Sequence, residues 1–151
     1  MIKDISRLNI LFDSQQLAVL ATQEKGAAQP YTSLVGFAIT EDAANLIFAT
    51  GRNTRKFNNL IVNPCVALLI DDRSNTVSDF NDAVAVTVIG KASETCRTEE
   101  ALFLDLFLKK HPNLKEFVNS TDCTLIKVKV EKYIFVSNFE TVQEIVLSGT
   151  E

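Results

Sequence analysis

The chain has 151 residues, of which 46% are apolar and 23% are charged, and its formal net charge is −4 at pH 7. This length suits one hydrophobic core, so we expect a single globular domain over residues 1–151. The acidic balance argues against binding to nucleic acid or to an anionic membrane, because either partner requires a basic surface.

The amino terminus and the cysteines indicate the compartment. Residues 1–7 mix acidic and basic side chains, and no long apolar stretch follows them, as one would in a secretory signal. Cys65, Cys96 and Cys123 lie far apart and form no Cys-x-x-Cys pair, which argues against a disulfide framework and against a zinc site. We therefore expect a cytoplasmic protein with reduced, mostly buried thiols.

The first part of the chain predicts a helix followed by strands. Apolar residues recur at helical spacing between Asp4 and Phe12. Runs rich in β-formers and separated by turn residues then predict three strands, at Leu17–Thr22, Tyr31–Thr40 and Leu46–Thr50. Their short connections are typical of an antiparallel sheet.

The second part alternates helices and strands. A helix capped by Thr54 and ended by Asn63-Pro64, a helix capped by Thr98 and ended by His111-Pro112, and a short helix at Leu114–Val118 are predicted. Asp71–Asp82 is predicted to be a polar loop. The remaining predicted strands are Cys65–Ile70, Ala83–Ala92, the long alternating segment Cys123–Val136, and Val142–Val146. Six or seven antiparallel strands with few helices predict a mainly β, closed or partly closed barrel.

The segment Thr50-Gly-Arg-Asn-Thr-Arg-Lys56 leaves a strand and enters a helix. A helix N-terminus presents unpaired N–H groups and the positive end of the helix dipole. Thr54 adds a hydroxyl, and Arg55 and Lys56 add charged donors, so this segment is a candidate phosphate site. The alternative is a capped surface helix with solvated basic residues.

The order of features around this segment resembles the pyridoxamine 5′-phosphate oxidase-like flavoproteins. The segments that carry the resemblance are Gln29–Ile39, Leu46–Thr50, Thr54-Arg55-Lys56, Leu60, Asn63-Pro64, Val86–Ala92, Phe107–Pro112 and the last long strand. The similarity extends from about Leu17 to Phe139.

The resemblance implies an FMN-binding, Greek-key split barrel of six to seven strands, which forms a homodimer with one FMN in each of two clefts at the interface. Thr54, Arg55 and Lys56 would bind the FMN phosphate, and further contacts are assigned to Thr50, Asn53 and Asn59. The strand residues Tyr31, Thr32, Ser33, Leu34 and Val35 would lie along the isoalloxazine and bind its edge through backbone groups. The alternative for this strand is an ordinary core strand, and the loop Asp72–Asn75 either reaches the ring or the partner subunit, or is solvated.

Two departures concern the substrate. True pyridoxamine phosphate oxidases carry a glutamine in the strand that corresponds to Val84–Thr87, and a tryptophan-bearing C-terminal segment. Here that strand has no glutamine and the chain has no Trp. The resemblance therefore implies FMN binding but not oxidation of vitamin B6.

No catalytic residue is assigned. His111, the only histidine, stands at a predicted helix end, where we expect an exposed cation that favours the helix dipole. Phe103, Phe107 and Phe117 are expected to be core or dimer contacts.

Three functions remain open. The first is an FMN-dependent oxidoreductase that passes hydride between a small or nicotinamide-type donor and the flavin, on a substrate that the sequence does not name. The second is a binding protein for flavin, haem or a deazaflavin without turnover. The third is a structural dimeric barrel whose cleft holds no ligand.

Overall fold

A computed structural model describes residues 2–147. Within them, the strands are β1 (Leu17–Gln23), β2 (Pro30–Ile39), β3 (Asn45–Gly51), β4 (Cys65–Asp71), β5 (Val84–Glu94), β6 (Cys123–Ser137) and β7 (Thr141–Val146). The helices are α1 (Ile2–Ser14), α2 (Arg55–Val62), α3 (Asp79–Asp82), α4 (Arg97–Lys110) and α5 (Lys115–Val118), with a 3₁₀ turn at Pro112–Leu114. In this part of the chain no helix is long and apolar enough to cross a membrane.

The strands form one antiparallel sheet that closes on itself. Their order is β3-β2-β1-β4-β5-β6-β7, and β3 also pairs with β6, so the first six strands make a barrel. The first part of β6 (Cys123–Lys129) pairs with β3, and its last part (Lys132–Ser137) pairs with β7. After β1, β2 and β3, the chain returns through α2 to place β4 beside β1, which is a Greek key. The predicted mainly β split barrel is confirmed.

The barrel interior is filled by alternate side chains of the strands. On β6, Ile126, Val128 and Val130 are buried, while Lys129 and Glu131 are exposed. The alternation predicted from the sequence is therefore confirmed, because successive side chains of a strand point to opposite faces. The interior is extended at one end by Leu8, Leu11 and Phe12 of α1.

A second buried cluster lies on the outside of the barrel, where α4 packs on β2, β3 and β6. It contains Phe103 and Phe107 of α4 together with Ala38, Ile47 and Leu125 of the strands. The expectation that these two phenylalanines are core residues is confirmed. Phe117 is not a core residue, since its exposed fraction is 46%, and the alternative of a dimer contact stays a prediction.

Local predictions for α4 and the preceding loop need correction. The N-cap of α4 is Cys96, not Thr98, because the backbone is still extended at Cys96 (φ −81°, ψ 162°) and turns helical at Arg97. Glu99 completes a capping box by accepting from the Cys96 N–H at 3.2 Å. The polar loop after β4 contains the single turn α3.

The cysteines are less buried than expected. Cys65 and Cys96 are exposed, and Cys123 is partly buried. The reason is placement, since Cys65 falls on the outward face of β4 and Cys96 lies at a helix end. The prediction of mostly buried thiols was wrong.

Candidate functional site

The candidate phosphate segment folds as a capped helix start. β3 ends at Gly51, and Thr54 is the N-cap of α2 with extended backbone (φ −94°, ψ 156°). The Thr54 hydroxyl donates to the Gly51 carbonyl oxygen at 2.8 Å and accepts from the Phe57 N–H at 3.3 Å. The predicted cap is confirmed, and its hydroxyl is used to hold the turn.

Two backbone N–H groups at this helix start have no hydrogen-bond partner among the residues that the structure describes. The first backbone bond of α2 runs from Asn58 N–H to the Thr54 carbonyl oxygen at 3.2 Å. The N–H groups of Arg55 and Lys56 precede it in the first turn, where a helix has no internal acceptors for them. Together with the helix dipole they make this end of α2 electropositive.

The two neighbouring cations are separated in space. Lys56 lines a cleft beside β2 and β3. Arg55 turns to the β1–β2 hairpin, where its Nη1 lies 3.6 Å from Glu24 Oε1 and its Cζ lies 5.2 Å from the centre of the Tyr31 ring. The structure therefore brings one of the two predicted cations to the cleft and not the other.

The cleft has a volume of about 760 Å³ and is bounded by three walls. The strand wall is formed by Leu17 of β1, Leu34 to Gly36 of β2 and Ala49 to Gly51 of β3, and the second wall is the start of α2. The third wall is the segment 111–123 that connects α4 to β6. Its cleft-lining residues are His111, Asn113, Leu114, Phe117, Ser120, Asp122 and Cys123.

Only part of the strand that was predicted to bind the isoalloxazine lines the cleft. Leu34 and Val35 line it, whereas Tyr31, Thr32 and Ser33 do not. These last residues pair with Thr22, Ala21 and Leu20 of β1, at the part of the strand that lies next to the hairpin. The Ser33 Oγ atom is buried without a hydrogen-bond partner among the described residues.

The remaining predicted contacts divide in the same way. Thr50, Asn53 and Thr54 line the cleft, and the Thr50 and Thr54 hydroxyl oxygens lie 3.0 Å apart. Asn59 is a buried residue of α2 that faces β1, where its Nδ2 donates to the Thr22 hydroxyl at 3.0 Å. Asn59 thus connects α2 to β1 and does not line the cleft.

The third wall was missed by sequence reasoning. A short helix was predicted at Leu114–Val118, but its residues are polar or isolated apolar side chains, and nothing in the local pattern places this helix against a cleft. The signal that was present is the pair of Leu114 and Phe117, three residues apart on one helical face. The loop Asp72–Asn75 lies elsewhere, with Arg73 and Asn75 lining a separate groove of about 700 Å³.

His111 contradicts the expectation of an exposed cation. Its exposed fraction is 4%, its Nε2 lies 2.7 Å from the Phe37 carbonyl oxygen, and its ring centre lies 4.9 Å from that of Phe107. Burial lowers the pKa of His111, although the hydrogen bond to Phe37 opposes the shift. The ring is buried because the C-terminal end of α4 packs against β2. Its lowered pKa leaves the imidazole neutral at pH 7.

Two further titratable groups line the cleft. Asp122 is exposed, and its backbone carbonyl oxygen accepts from the Arg52 N–H at 2.8 Å. Burial raises the pKa of the Cys123 thiol, against the opposing charge of Arg52. The thiol is consequently protonated at neutral pH and is a weak nucleophile.

The arrangement of the cleft suits a ligand with one anionic end. The start of α2 offers N–H groups and the Lys56 ammonium to an anion. Away from that end, Leu17, Leu34 and Phe117 are 55%, 65% and 46% exposed, so a large part of the surface offered to a ligand is apolar. Such a surface offers contact to an apolar part of a ligand.

The fold occurs in several solved structures, at sequence identities that show the fold alone. ChuZ of Campylobacter jejuni matches with a TM-score of 0.80 and 20% identity, over 97% of this chain and 60% of that one. A heme-binding protein from Mycobacterium smegmatis matches with a TM-score of 0.79 and 17% identity, over 88% and 53%. An FAD-binding protein from Mesorhizobium loti matches with a TM-score of 0.67 and 16% identity, over 87% and 91%.

The chain thus spans only 53% to 60% of the length of the first two of these proteins. The comparison with curated proteins finds no match. The family model described as pyridoxamine 5′-phosphate oxidase matches residues 7–137, which is most of the chain and includes all six strands of the barrel. The chain therefore belongs to the pyridoxamine 5′-phosphate oxidase family.

Proposed function

We propose that the chain binds FMN in the cleft, with the phosphate at the start of α2 and the isoalloxazine along β2. The observation that carries this proposal is the combination of unpaired N–H groups and the Lys56 side chain at one end of the cleft with exposed apolar side chains beside it. Membership of the family supports it, since the phosphate segment matches the motif that the resemblance assigns to FMN.

The donor set fits a phosphate monoester. The N–H groups of Arg55 and Lys56 and the Lys56 ammonium are all donors, and the Thr54 hydroxyl keeps the turn in place. The Asp122 carboxylate at the edge of the same cleft disfavours a second anionic group nearby and accepts hydrogen bonds from hydroxyl groups. This combination suits a ligand with one phosphate and a polyhydroxyl chain.

We further propose that the protein is an oxidoreductase. Bound FMN would supply hydride-transfer chemistry, so the chain itself has to bind, orient and shield the reacting groups. The electron donor would be a small or nicotinamide-type molecule. Oxidation of NADH or NADPH by the FMN-loaded protein, measured with a series of acceptors, tests this part independently of binding.

Haem binding without turnover is the second candidate. It is favoured by the similarity in fold to the heme-binding protein of Mycobacterium smegmatis. A deazaflavin is a further alternative, which rests on the family resemblance alone. The only histidine, His111, directs its Nε2 to the Phe37 carbonyl oxygen, which leaves that nitrogen engaged. We therefore place flavin before haem, and titrations followed at the flavin and haem absorption bands distinguish them.

The binding proposal is tested by replacing each of two adjacent cations, Lys56 and Arg55, and by measuring the affinity of each variant for FMN and for riboflavin. Lys56→Ala should weaken FMN binding by about tenfold or more, because a charge-assisted hydrogen bond contributes roughly 1.5–3 kcal/mol. Riboflavin, which lacks the phosphate, should bind the variant and the parent protein equally. Fluorescence titration gives both dissociation constants.

Arg55→Ala is the matched control, since Arg55 lies on the same helix turn but faces Glu24. It should change FMN affinity much less than Lys56→Ala. Equal losses for FMN and riboflavin in Lys56→Ala, or a larger loss in Arg55→Ala, would contradict the placement of the phosphate. A parent protein that binds neither ligand would remove the flavin proposal altogether.

We also propose that the protein is a homodimer formed through the outer face of the barrel. Along one row of the sheet, Leu34 pairs with Val19, Val19 with Leu69, Leu69 with Thr87 and Thr87 with Ile134. We call Leu34, Val19, Leu69 and Ile134 the apolar belt. Leu34 and Leu69 are 65% and 38% exposed in the single chain, so the described residues leave this row partly open to water.

The belt connects the dimer to the cleft. Leu34 belongs both to the belt and to the wall of the cleft, so a second copy on the belt would close the open side of the ligand site. Exposed apolar residues in such a row are unfavourable in a monomer because they remain in contact with water. The same interface therefore accounts for the exposed strand face and for an open cleft.

A further inference from the structure

His111 connects three parts of the molecule that surround the cleft. Its Nε2 bonds to the Phe37 carbonyl oxygen of β2 at 2.7 Å. Its backbone N–H donates to Phe107 of α4 at 2.9 Å, and its carbonyl oxygen accepts from Leu114 at 3.0 Å at the start of the third wall. The residue therefore links the strand, the helix and the wall.

The bond to Phe37 assigns a proton to Nε2 of the imidazole. A carbonyl oxygen only accepts hydrogen bonds, so Nε2 carries a proton. Burial favours the neutral ring and lowers its pKa, and the charge of neighbouring Lys110 acts in the same direction. The strand side contributes no charge, because Gly36 and Phe37 face the ring.

The His111 ring packs on β2 at Gly36. A Cβ atom at Gly36 would lie 3.5 Å from His111 Cε1 and 3.6 Å from Leu114 Cδ1, so the imidazole and the first leucine of the wall both pack against this backbone. The two residues before Gly36 are Leu34 and Val35, which line the cleft. The ring thus sits directly beside the proposed isoalloxazine position.

Other polar connections between the wall and the strands are few. Within the part of the chain that the structure describes, His111 to Phe37 is the one hydrogen bond that joins residues 111–120 to β2. The far end of the wall is held at the α2 side, where the Asp122 carbonyl oxygen accepts from Arg52. Between these two attachments lies α5, which carries Phe117.

We propose that His111 is a positioning residue whose neutral imidazole holds the third wall of the cleft against β2 and thereby sets the width of the ligand site. Loss of this bond should loosen the packing of Leu114 on Gly36 and so free the segment that carries Phe117. The effect on the wall is independent of ligand, whereas the effect on ligand affinity rests on the proposed FMN function. Protonation keeps the Nε2–H donor, but a charged imidazole is unfavourable in this buried position, so acid should favour a state in which the wall has moved away and the ring meets water.

The chain has no Trp, so a single substitution supplies a reporter. Phe117→Trp places one indole on the wall, and its accessibility to acrylamide and its fluorescence anisotropy measure wall position without any ligand. In this background, His111→Leu should raise the quenching constant about twofold or more and lower the anisotropy. His111→Gln, whose side-chain amide can donate to the same carbonyl oxygen, should restore values close to those of the parent.

Acidification gives a second readout on the folded protein. The accessibility of the introduced indole should rise reversibly as the pH falls below 6.5, the ordinary value for His, and this rise should be absent in the His111→Gln variant. The same pH profile in both proteins, or an unchanged quenching constant in His111→Leu, would overturn the proposal. The pH profile keeps the test valid even if His111→Leu does not fold.

Ligand affinity is then measured with the natural Phe117. His111→Leu should weaken FMN binding by about fivefold to tenfold, the loss expected for one buried hydrogen bond, and His111→Gln should recover most of it. An affinity equal to that of the parent, despite a mobile wall, would refute the role in ligand binding. If no variant and no parent protein binds FMN, the proposed function fails while the result on the wall stands.

Discussion

Lys110 is a cation held half inside the protein. Its Nζ donates to the Phe12 carbonyl oxygen at 2.9 Å and lies 3.6 Å from the centre of the Phe37 ring. Burial lowers the pKa of Lys110 to about 8, although the nearby Asp13 carboxylate opposes the shift. The residue therefore attaches the end of α4 to α1 at an electrostatic cost to its charged form.

That cost predicts a pH dependence of stability. In the unfolded chain Lys110 titrates near 10.5 and in the folded protein near 8, so between these values the unfolded state binds more protons. The free energy of unfolding should then rise with pH from this group across that range, since stability rises wherever the unfolded state is more protonated. Lys110→Met should flatten this part of the profile, measured by urea denaturation.

The adjacent Lys109 provides the control. It is exposed at the same end of α4, so Lys109→Met should leave the slope between pH 8 and 10.5 unchanged. Equal slopes for the Lys110→Met variant and the parent protein would show that burial does not suppress the charge of Lys110.

Among the secondary-structure elements, the long paired strands β5 and β6 depend on Gly90 for an irregularity in their pairing. The register between the two strands shifts between Ile89 and Gly90. A Cβ atom on Gly90 would overlap the Lys129 carbonyl oxygen and would lie 2.8 Å from Val128 Cγ1. Gly90 thus allows a β-bulge, which bends the strand as closure of a barrel requires.

Gly90→Ala should destabilise the protein by about 1–3 kcal/mol, because a forced overlap in a packed region moves backbone or side chains. Chemical denaturation measures the loss. Gly36→Ala is the control, since its Cβ would meet the His111 ring at an ordinary contact distance of 3.5 Å. A Gly90→Ala variant as stable as the parent would mean that the two strands separate there without penalty.

At the scale of the whole molecule, the proposed dimer makes the next prediction. Leu69→Glu places a charge in the middle of the apolar belt and should convert a dimer into a monomer of 16.7 kDa, as measured by light scattering after size-exclusion chromatography. The charge would otherwise have to be buried without a partner at the interface. FMN affinity should fall as well, because the open side of the cleft loses its cover.

Leu102 is a matched control, being an exposed leucine (69%) on α4, away from the belt. Leu102→Glu should leave the mass unchanged. A parent protein that is already monomeric at micromolar concentration would contradict the dimer. The assignment of residues 1–151 to one domain and the cytoplasmic location stay predictions.

Much of the architecture followed from short-range rules of sequence. Alternation in β6, the proline after Asn63 and the capping side chain of Thr54 each act within a few residues, so strand and helix positions were predictable from local pattern. The family resemblance extended these elements to a closed barrel. The departures at Cys96 and at α3 are local, one at the end of a helix and one a single turn within a loop.

The composition of the cleft was decided by packing between segments far apart in the chain. Consecutive helix residues point about 100° apart, so the order Arg55-Lys56 does not tell which side chain meets the cleft and which meets Glu24. In the same way, His111 is neutral and buried only because α4 folds back onto Phe37, 74 residues earlier. The sequence by itself therefore determined the strands, the capped turn and the family, while the tertiary structure alone decided which charges and walls surround the ligand site, since burial and pairing depend on long-range contacts.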